Sequence, residues 1–225
     1  MTADTFRIPV GDASTTARIY RAKGARAALV LAPGAGAPQT HRWMVSMAKA
    51  VADQAIDVVT FDFLYAAARK RAPDRPPVLE ATWRAAIAAV RDRSDLATGR
   101  LLIGGKSMGG RIATQVAAGS EPIGRIEGLV LLGYPLHPPG KPQQLRSEHL
   151  PRVEAPMLFV QGSRDTFGTR EELGPIVAKL ADRSGRTRMF VVEGGDHSLV
   201  RPKSAGESID QVIVRVAGEI ARFIG

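Results

Sequence analysis

The chain has 225 residues, 44% of them hydrophobic and 24% charged, with a net charge of +9 and no cysteine. That length suits a single domain with its own core, residues 1–225, and the missing cysteine excludes disulfides, thiolate metal sites and a cysteine nucleophile. No apolar run approaches a membrane span, and the basic excess comes without a zinc-finger, basic-zipper or aromatic-interleaved RNA-binding motif, so neither membrane nor nucleic acid is expected as a partner.

The N-terminal segment, Met1 to Ser14, is polar and broken by Pro9 and Gly11. It lacks the apolar stretch of a secretory signal, which makes the cytoplasm the expected location. Thr5–Val10 and Thr16–Arg21 surround Gly11-Asp12 and read as an antiparallel hairpin. Short aliphatic runs follow at Ala28–Leu31, Asp57–Phe61, Leu101–Gly104, Leu129–Leu132, Met157–Gln161 and Met189–Val192. They are nearly continuous in apolar residues, as strands of a parallel sheet covered on both faces are.

Amphipathic stretches lie between these runs. Thr40 can cap a helix that runs to Gln54, Ala81–Arg93 forms another, and Thr169 caps a third with Glu171 and Glu172 in its first turn. The last, Ser208 to Phe223, places Ile209, Val212, Ile213, Val216, Ile220 and Phe223 on one face. The alternation predicts an α/β fold with a mostly parallel, doubly wound sheet of about eight strands, the hairpin included. Two connections, Ala66–Val78 and the proline-rich His137–Pro156, leave the carboxyl ends of strands, where the ligand sites of such sheets form. Neither is long enough for a lid domain, so the cleft is expected to be open.

Within Ile103-Gly104-Gly105-Lys106-Ser107-Met108-Gly109-Gly110, Ser107 stands in Gly-x-Ser-x-Gly between a strand (Arg100 to Gly104) and a helix (Arg111 to Ala118). A sharp turn in that position presents the serine hydroxyl at the sheet edge, and the helix start favours negative charge there. A serine needs a base to become nucleophilic. Of His41, His137, His149 and His197, the last follows the final strand on the same sheet edge, in Glu193-Gly194-Gly195-Asp196-His197. His41 falls near the cleft, while His137 and His149 read as surface residues of the proline-rich connection. The orienting acid is best supplied by Asp165, just after Met157–Gln161, because it completes the order serine, acid, histidine. Asp196 and Glu193 are the competing acids, and a turn or helix-capping role is the alternative reading of Asp165.

Two backbone N–H groups are needed where charge develops on the substrate oxygen. Met108, directly after the serine, and Ala35, in the small-residue loop Pro33-Gly34-Ala35-Gly36-Ala37, are the candidates. Judged alone, that loop is also an ordinary glycine turn. Arg69, Lys70, Arg71 and Arg75 form the one dense basic cluster; it offers attraction to an anionic substrate, but a solvated loop is the weightier reading. Lys106 is expected to point away from Ser107 in a structural role. Trp43 and Trp83 suit helix–sheet packing. No metal-ligand spacing or dinucleotide fingerprint occurs, so no cofactor is expected.

From Leu29 through His197 to the final helix the chain resembles the α/β-hydrolases, and within them the small, lidless dienelactone-hydrolase-like proteins. Pro33-Gly34-Ala35-Gly36-Ala37, Phe61-Asp62-Phe63-Leu64-Tyr65 followed by Arg69-Lys70, and Gly104-Gly105-Lys106-Ser107-Met108-Gly109-Gly110-Arg111 are similar to a narrower group. That group includes the testis-expressed hydrolase-like protein and a subunit of a nuclear histone-acetyltransferase complex. The resemblance implies the α/β-hydrolase fold and a triad of Ser107 as nucleophile, Asp165 as acid and His197 as base. Pro33 stands where many members have histidine, and serine replaces the cysteine of dienelactone hydrolases proper, so their substrate does not carry over. The expected activity is hydrolysis of a small carboxylic ester or thioester, anionic ones included, through an acyl-enzyme on Ser107. A non-catalytic binding or scaffold protein on the same fold, and a triad enzyme for perhydrolysis or C–C cleavage, are the alternatives.

Overall fold

The computed structural model describes residues 4–225, except for the side chains of 182–184; the first three residues of the polar N-terminal segment lie outside the described residues. Eight strands form one sheet: β1 (Asp4–Val10), β2 (Ala13–Tyr20), β3 (Ala27–Ala32), β4 (Ile56–Phe61), β5 (Leu101–Lys106), β6 (Gly128–Leu132), β7 (Met157–Gly162) and β8 (Arg188–Val192). Their order across the sheet is β1-β2-β4-β3-β5-β6-β7-β8. The hairpin β1–β2 is antiparallel and β2 joins β4 antiparallel, while every pair from β4 to β8 is parallel. Parallel pairing forces each chain crossover over a face of the sheet; among the described residues five of the six helices lie in these connections, and the sixth follows β8. They are α1 (Arg42–Ala52), α2 (Leu64–Ala67), α3 (Pro76–Arg91), α4 (Met108–Ala118), α5 (Arg170–Ser184) and α6 (Ile209–Ile224).

The period of two along each strand divides the interior into two cores. Ala28, Val30, Ile103, Leu129, Leu131 and Phe159 face one core, with Trp83 of α3, Ile112 of α4 and Leu173 of α5. Leu29, Leu31, Leu102, Val130 and Leu158 face the other, with Met44 and Met47 of α1 and Val212, Val216 and Ile220 of α6. Helices on both faces explain why the central strands carry so few polar residues. The face of α6 read from the sequence is the buried one, apart from Ile209, which packs at its edge.

The boundaries shift where punctuation residues mislead. The sequence reads the strand to Gly104 and the helix from Arg111, yet β5 continues to Lys106 and α4 starts at Met108. Gly104, Gly105, Gly109 and Gly110 depress the strand and helix signals there, although packing requires them. Likewise α3 begins at Pro76 rather than Ala81, because proline is tolerated in the first helical turn. The cap of α1 is His41, not Thr40: its Nδ1 accepts the Trp43 N–H at 3.3 Å. Thr169 and Ser208 each close a capping box, with Glu172 and Gln211 respectively. Among the described residues no helix is long and apolar enough to cross a membrane.

Candidate active site

The turn between β5 and α4 holds Ser107 at φ 50°, ψ −117°, a backbone conformation that costs a non-glycine residue about 1–3 kcal/mol. Its neighbours hold it there. The Ser107 N–H donates to Leu132 O at 2.9 Å, tying the turn to β6. A Cβ on Gly105 would come within 2.5 Å of Ala32 O, and one on Gly109 within 2.5 Å of Pro33 O, so only glycine lets α4 approach β3 this closely. Trp83, fully buried beneath, donates its indole N–H to Gly109 O at 3.1 Å and meets Phe61 edge-on.

His197 and Asp165 come to the same edge from β8 and β7. The loops that carry them are cross-bonded: Arg164 N donates to Gly195 O at 2.9 Å and Gly194 N to Ser163 Oγ at 2.8 Å. His197 Nε2 lies 2.8 Å from Ser107 Oγ, and His197 Nδ1 lies 2.8 Å from Asp165 Oδ2 and 3.0 Å from Oδ1. The Asp165 carboxylate is fully buried and also accepts hydrogen bonds from Phe167 N and Gln161 Nε2, each at 2.8 Å. A buried carboxylate so saturated has its orientation fixed, and it fixes the imidazole in turn. The Phe167 ring stacks on His197 with centroids 4.1 Å apart.

The competing acids have other work. Asp196 Oδ1 accepts the N–H groups of Ser198 and Val200 and shapes the histidine loop, while exposed Glu193 pairs with Arg170 at 2.7 Å. His41 lines the cavity beside Ser107, as its position near the cleft suggested. The surface reading of His137 and His149 is corrected. His137 is only 4% exposed, with Nε2 3.2 Å from Glu172 Oε1. His149 is half-buried against Thr114 Oγ1 at 2.7 Å, and burial, assisted by Arg152 and Arg111, lowers it to about 4. Both were misjudged because the proline-rich connection folds back on the domain: His137 N donates to Phe167 O, and the Tyr134 hydroxyl donates to Arg146 O.

The cavity in front of Ser107 has a volume of about 840 Å³ and includes Gly34, Ala35, Met108 and His197 in its wall. As first residue of α4, Met108 has no helical carbonyl one turn back to receive its N–H. The loop carrying Ala35 is held by the end of β4. Asp62 Oδ1 accepts Gln39 N at 2.6 Å, Gln39 Nε2 donates to Thr16 O at 2.7 Å, and Thr60 Oγ1 donates to Gln39 Oε1 at 2.8 Å. Tyr65 is buried, and that burial raises its pKa, opposed by the nearby Gly36 backbone N–H. The Phe61-Asp62-Phe63-Leu64-Tyr65 motif therefore grips this loop from below, where Pro33 has no side chain able to do so.

Lys106 lines the cavity rather than turning from it. Its Nζ donates to the His197 carbonyl at 3.5 Å and lies 5.5 Å from the centre of the Trp43 ring, and burial lowers its pKa. Trp43 packs between helix and sheet as read, and also donates Nε1 to Ser198 O at 2.9 Å, tying α1 to the histidine loop. Arg69, Lys70, Arg71 and Arg75 are exposed and outside the cavity wall, in keeping with a solvated loop. Sequence reading missed the positioning roles of Gln161, Phe167 and Asp62. Only Gln161 left a signal, a polar residue closing an apolar strand.

Strand order, the strained serine turn and an open cleft with no inserted domain define a lidless α/β-hydrolase architecture. The chain belongs to the α/β-hydrolase family: residues 25–225 match the alpha/beta hydrolase domain. Similar solved structures include XC6422 from Xanthomonas campestris, described as an α/β serine hydrolase without lid, at TM-score 0.73 and 15% identity, covering 99% of this chain and 94% of that one. Esterase Pf2001 from Pyrococcus furiosus matches at TM-score 0.74 and 15% identity, covering 99% and 93%. Dienelactone hydrolase from Anabaena variabilis matches at TM-score 0.70 and 18% identity, covering 99% and 96%. At these identities the likeness is one of fold.

Proposed function

We propose that the chain is a serine hydrolase that cleaves a small carboxylic ester or thioester through an acyl-enzyme on Ser107. The observation that carries this reading is the unbroken hydrogen-bond chain from Asp165 through His197 to Ser107 on a strained turn. His197 Nε2 takes the Ser107 proton as Oγ attacks the acyl carbon, and Asp165 stabilises the imidazolium that forms. The N–H groups of Ala35 and Met108 receive the oxyanion. The imidazolium then passes its proton to the leaving alcohol or thiol. Water, deprotonated by His197, attacks the acyl-enzyme, and the proton returns to Ser107 as the acid leaves. The esterase and serine hydrolase among the structural neighbours support the reaction class.

The test is labelling with a fluorophosphonate probe, with the modified residue located by mass spectrometry and an ester panel assayed alongside. Modification confined to Ser107, absent in His197→Ala, is expected. Turnover should fall by several orders of magnitude in Ser107→Ala, on the scale seen when such nucleophiles are removed. An unlabelled, folded protein, or turnover that survives Ser107→Ala, would overturn the assignment.

A further inference from the structure

The cavity wall beside Ser107 is strongly cationic. It includes Arg42, Lys106, Arg111 and Arg146 but a single carboxylate, Asp210. Two of these cations have partners: Arg42 lies 3.6 Å from Asp210, and Lys106 rests on Trp43 and the His197 carbonyl. Arg111 and Arg146 have no carboxylate within 4.0 Å among the described residues. Arg111 Nε is buried with no hydrogen-bond partner, and Nη1 reaches only Gln115 Oε1 at 3.4 Å.

Both arginines are placed by firm backbone contacts. Arg111 lies one helical turn after the serine, its N–H donating to Ser107 O at 3.0 Å, and a helical side chain leans toward the helix N-terminus, here toward Ser107. Arg146 is pinned through its N–H to Leu136 O at 2.8 Å and through its carbonyl, which accepts the Tyr134 hydroxyl at 2.6 Å. Among the described residues nothing packed around them supplies the missing negative charge. The Tyr134 hydroxyl and the His149 ring are both kept neutral by burial, and Glu80 acts on Arg111 only through space. Burial and then the charge of Arg146 lower the Arg111 pKa. Two guanidinium groups that line one half-buried wall and repel each other are unfavourable without an anion, and their planar donors suit carboxylate and phosphate oxygens.

We propose that Arg111 and Arg146 form a subsite for an anionic group, carboxylate or phosphate, so that the ester cleaved at Ser107 belongs to an anionic molecule. The ester in this statement rests on the serine-hydrolase reading; the anion subsite does not require turnover. The exposed Arg69 cluster takes no part in it.

Two measurements separate these layers. First, kcat/KM is compared for matched 4-nitrophenyl esters, hexanoate against the adipate half-ester, and for a second pair with the carboxylate on the leaving alcohol. In the native chain at least one anionic ester should be preferred by about tenfold or more, the scale of a charged hydrogen bond. The preference should collapse toward unity in Arg111→Gln and Arg146→Gln, partly survive in Arg146→Lys, and shrink with added salt. Second, glutarate and inorganic phosphate are titrated calorimetrically into the full chain carrying Ser107→Ala. Binding of either, weakened at least about tenfold by adding Arg111→Gln or Arg146→Gln, is expected, and the better ligand identifies the anion. Equal use of neutral and anionic esters, or a preference unmoved in the glutamine variants, overturns the subsite, as does binding of neither ion. If no ester is cleaved and Ser107 stays unlabelled, only the hydrolase reading falls, and the titration decides the subsite. Arg146→Gln, on an irregular connection, keeps the test open if Arg111→Gln does not fold.

Discussion

Replacing Gln161 with leucine removes the amide that ties the acid loop together while keeping most of the buried volume. Gln161 is fully buried; its Nε2 donates to Asp165 Oδ2 and Gly168 O at 2.8 Å each and more distantly to Tyr134 O at 3.3 Å, while Oε1 accepts Tyr134 N at 2.8 Å. Each buried group left without its partner costs about 1–3 kcal/mol. The groups share one network, so the losses do not add fully, and leucine recovers some apolar transfer; a net loss of about 3–4 kcal/mol is expected. At an m-value of about 2–3 kcal/mol/M, the urea midpoint should fall by about 1–2 M. Turnover should drop as well, because Asp165 then keeps only Phe167 N and the His197 ring as partners. Gln161→Glu sharpens the test. It preserves the acceptor for Tyr134 N but sets a carboxyl oxygen where the donor stood, 2.8 Å from Asp165 Oδ2. Two carboxyls that close share a proton, so the folded pair titrates above its unfolded value. That variant should therefore be most stable at acid pH and lose stability as the pH rises through the raised value. A Gln161→Leu protein that unfolds within about 0.5 M urea of the native chain, with undiminished turnover, would refute the amide's role.

Gly109→Ala should cost at least about 2 kcal/mol and abolish fluorophosphonate labelling, since the new methyl meets the backbone oxygens of Pro33 and Ala32 at 2.5 and 2.6 Å; thermal melts and the probe read both effects. Trp83→Phe keeps the aromatic contact with Phe61 but loses the bond to Gly109 O, so chemical denaturation should show a loss of about 1–2 kcal/mol. His149, lowered from 6.5 to about 4 by burial, Arg152 and Arg111, is neutral in the folded state where the unfolded chain binds a proton. Its contribution is complete above the usual histidine range and lost as pH falls through 6.5 toward 4; discounted for its partial exposure, about 1 kcal/mol should separate native and His149→Gln slopes between neutral pH and pH 5.

The strands themselves were legible because parallel strands buried on both faces must be continuously apolar, and the six runs after the hairpin all became strands. That Ser107, Asp165 and His197 meet at one sheet edge was legible because each follows the carboxyl end of a parallel strand, and those ends open on the same side. What escaped was whatever depends on contacts between distant segments. Gln161 and Asp62 look like ordinary polar residues at strand ends, and only the folded chain brings Gly168 and Tyr134, or Gln39 and Thr15, to them. His137 and His149 were misplaced for the same reason: prolines signal an irregular backbone, which says nothing about whether that backbone lies against the domain. Around Ser107 the glycines hid the ends of β5 and α4, since their value lies in the space they leave for neighbouring backbone.

The close seating of α4 also explains why its fourth residue faces the cavity instead of water. Gly109 lets the helix start press against Pro33 and Ala32, which brings the positive end of the helix dipole to the wall that carries Arg111 and Arg146. An oxyanion forming at Ser107 would thus develop in a field already set by the protein, and part of that field would act on any ester. Salt screens both contributions over about 10 Å at moderate ionic strength, so a salt effect on turnover alone does not separate them. The arginine variants do. A subsite that grips the substrate's anion alters the ratio between charged and neutral esters, whereas a general field at the serine alters both rates together.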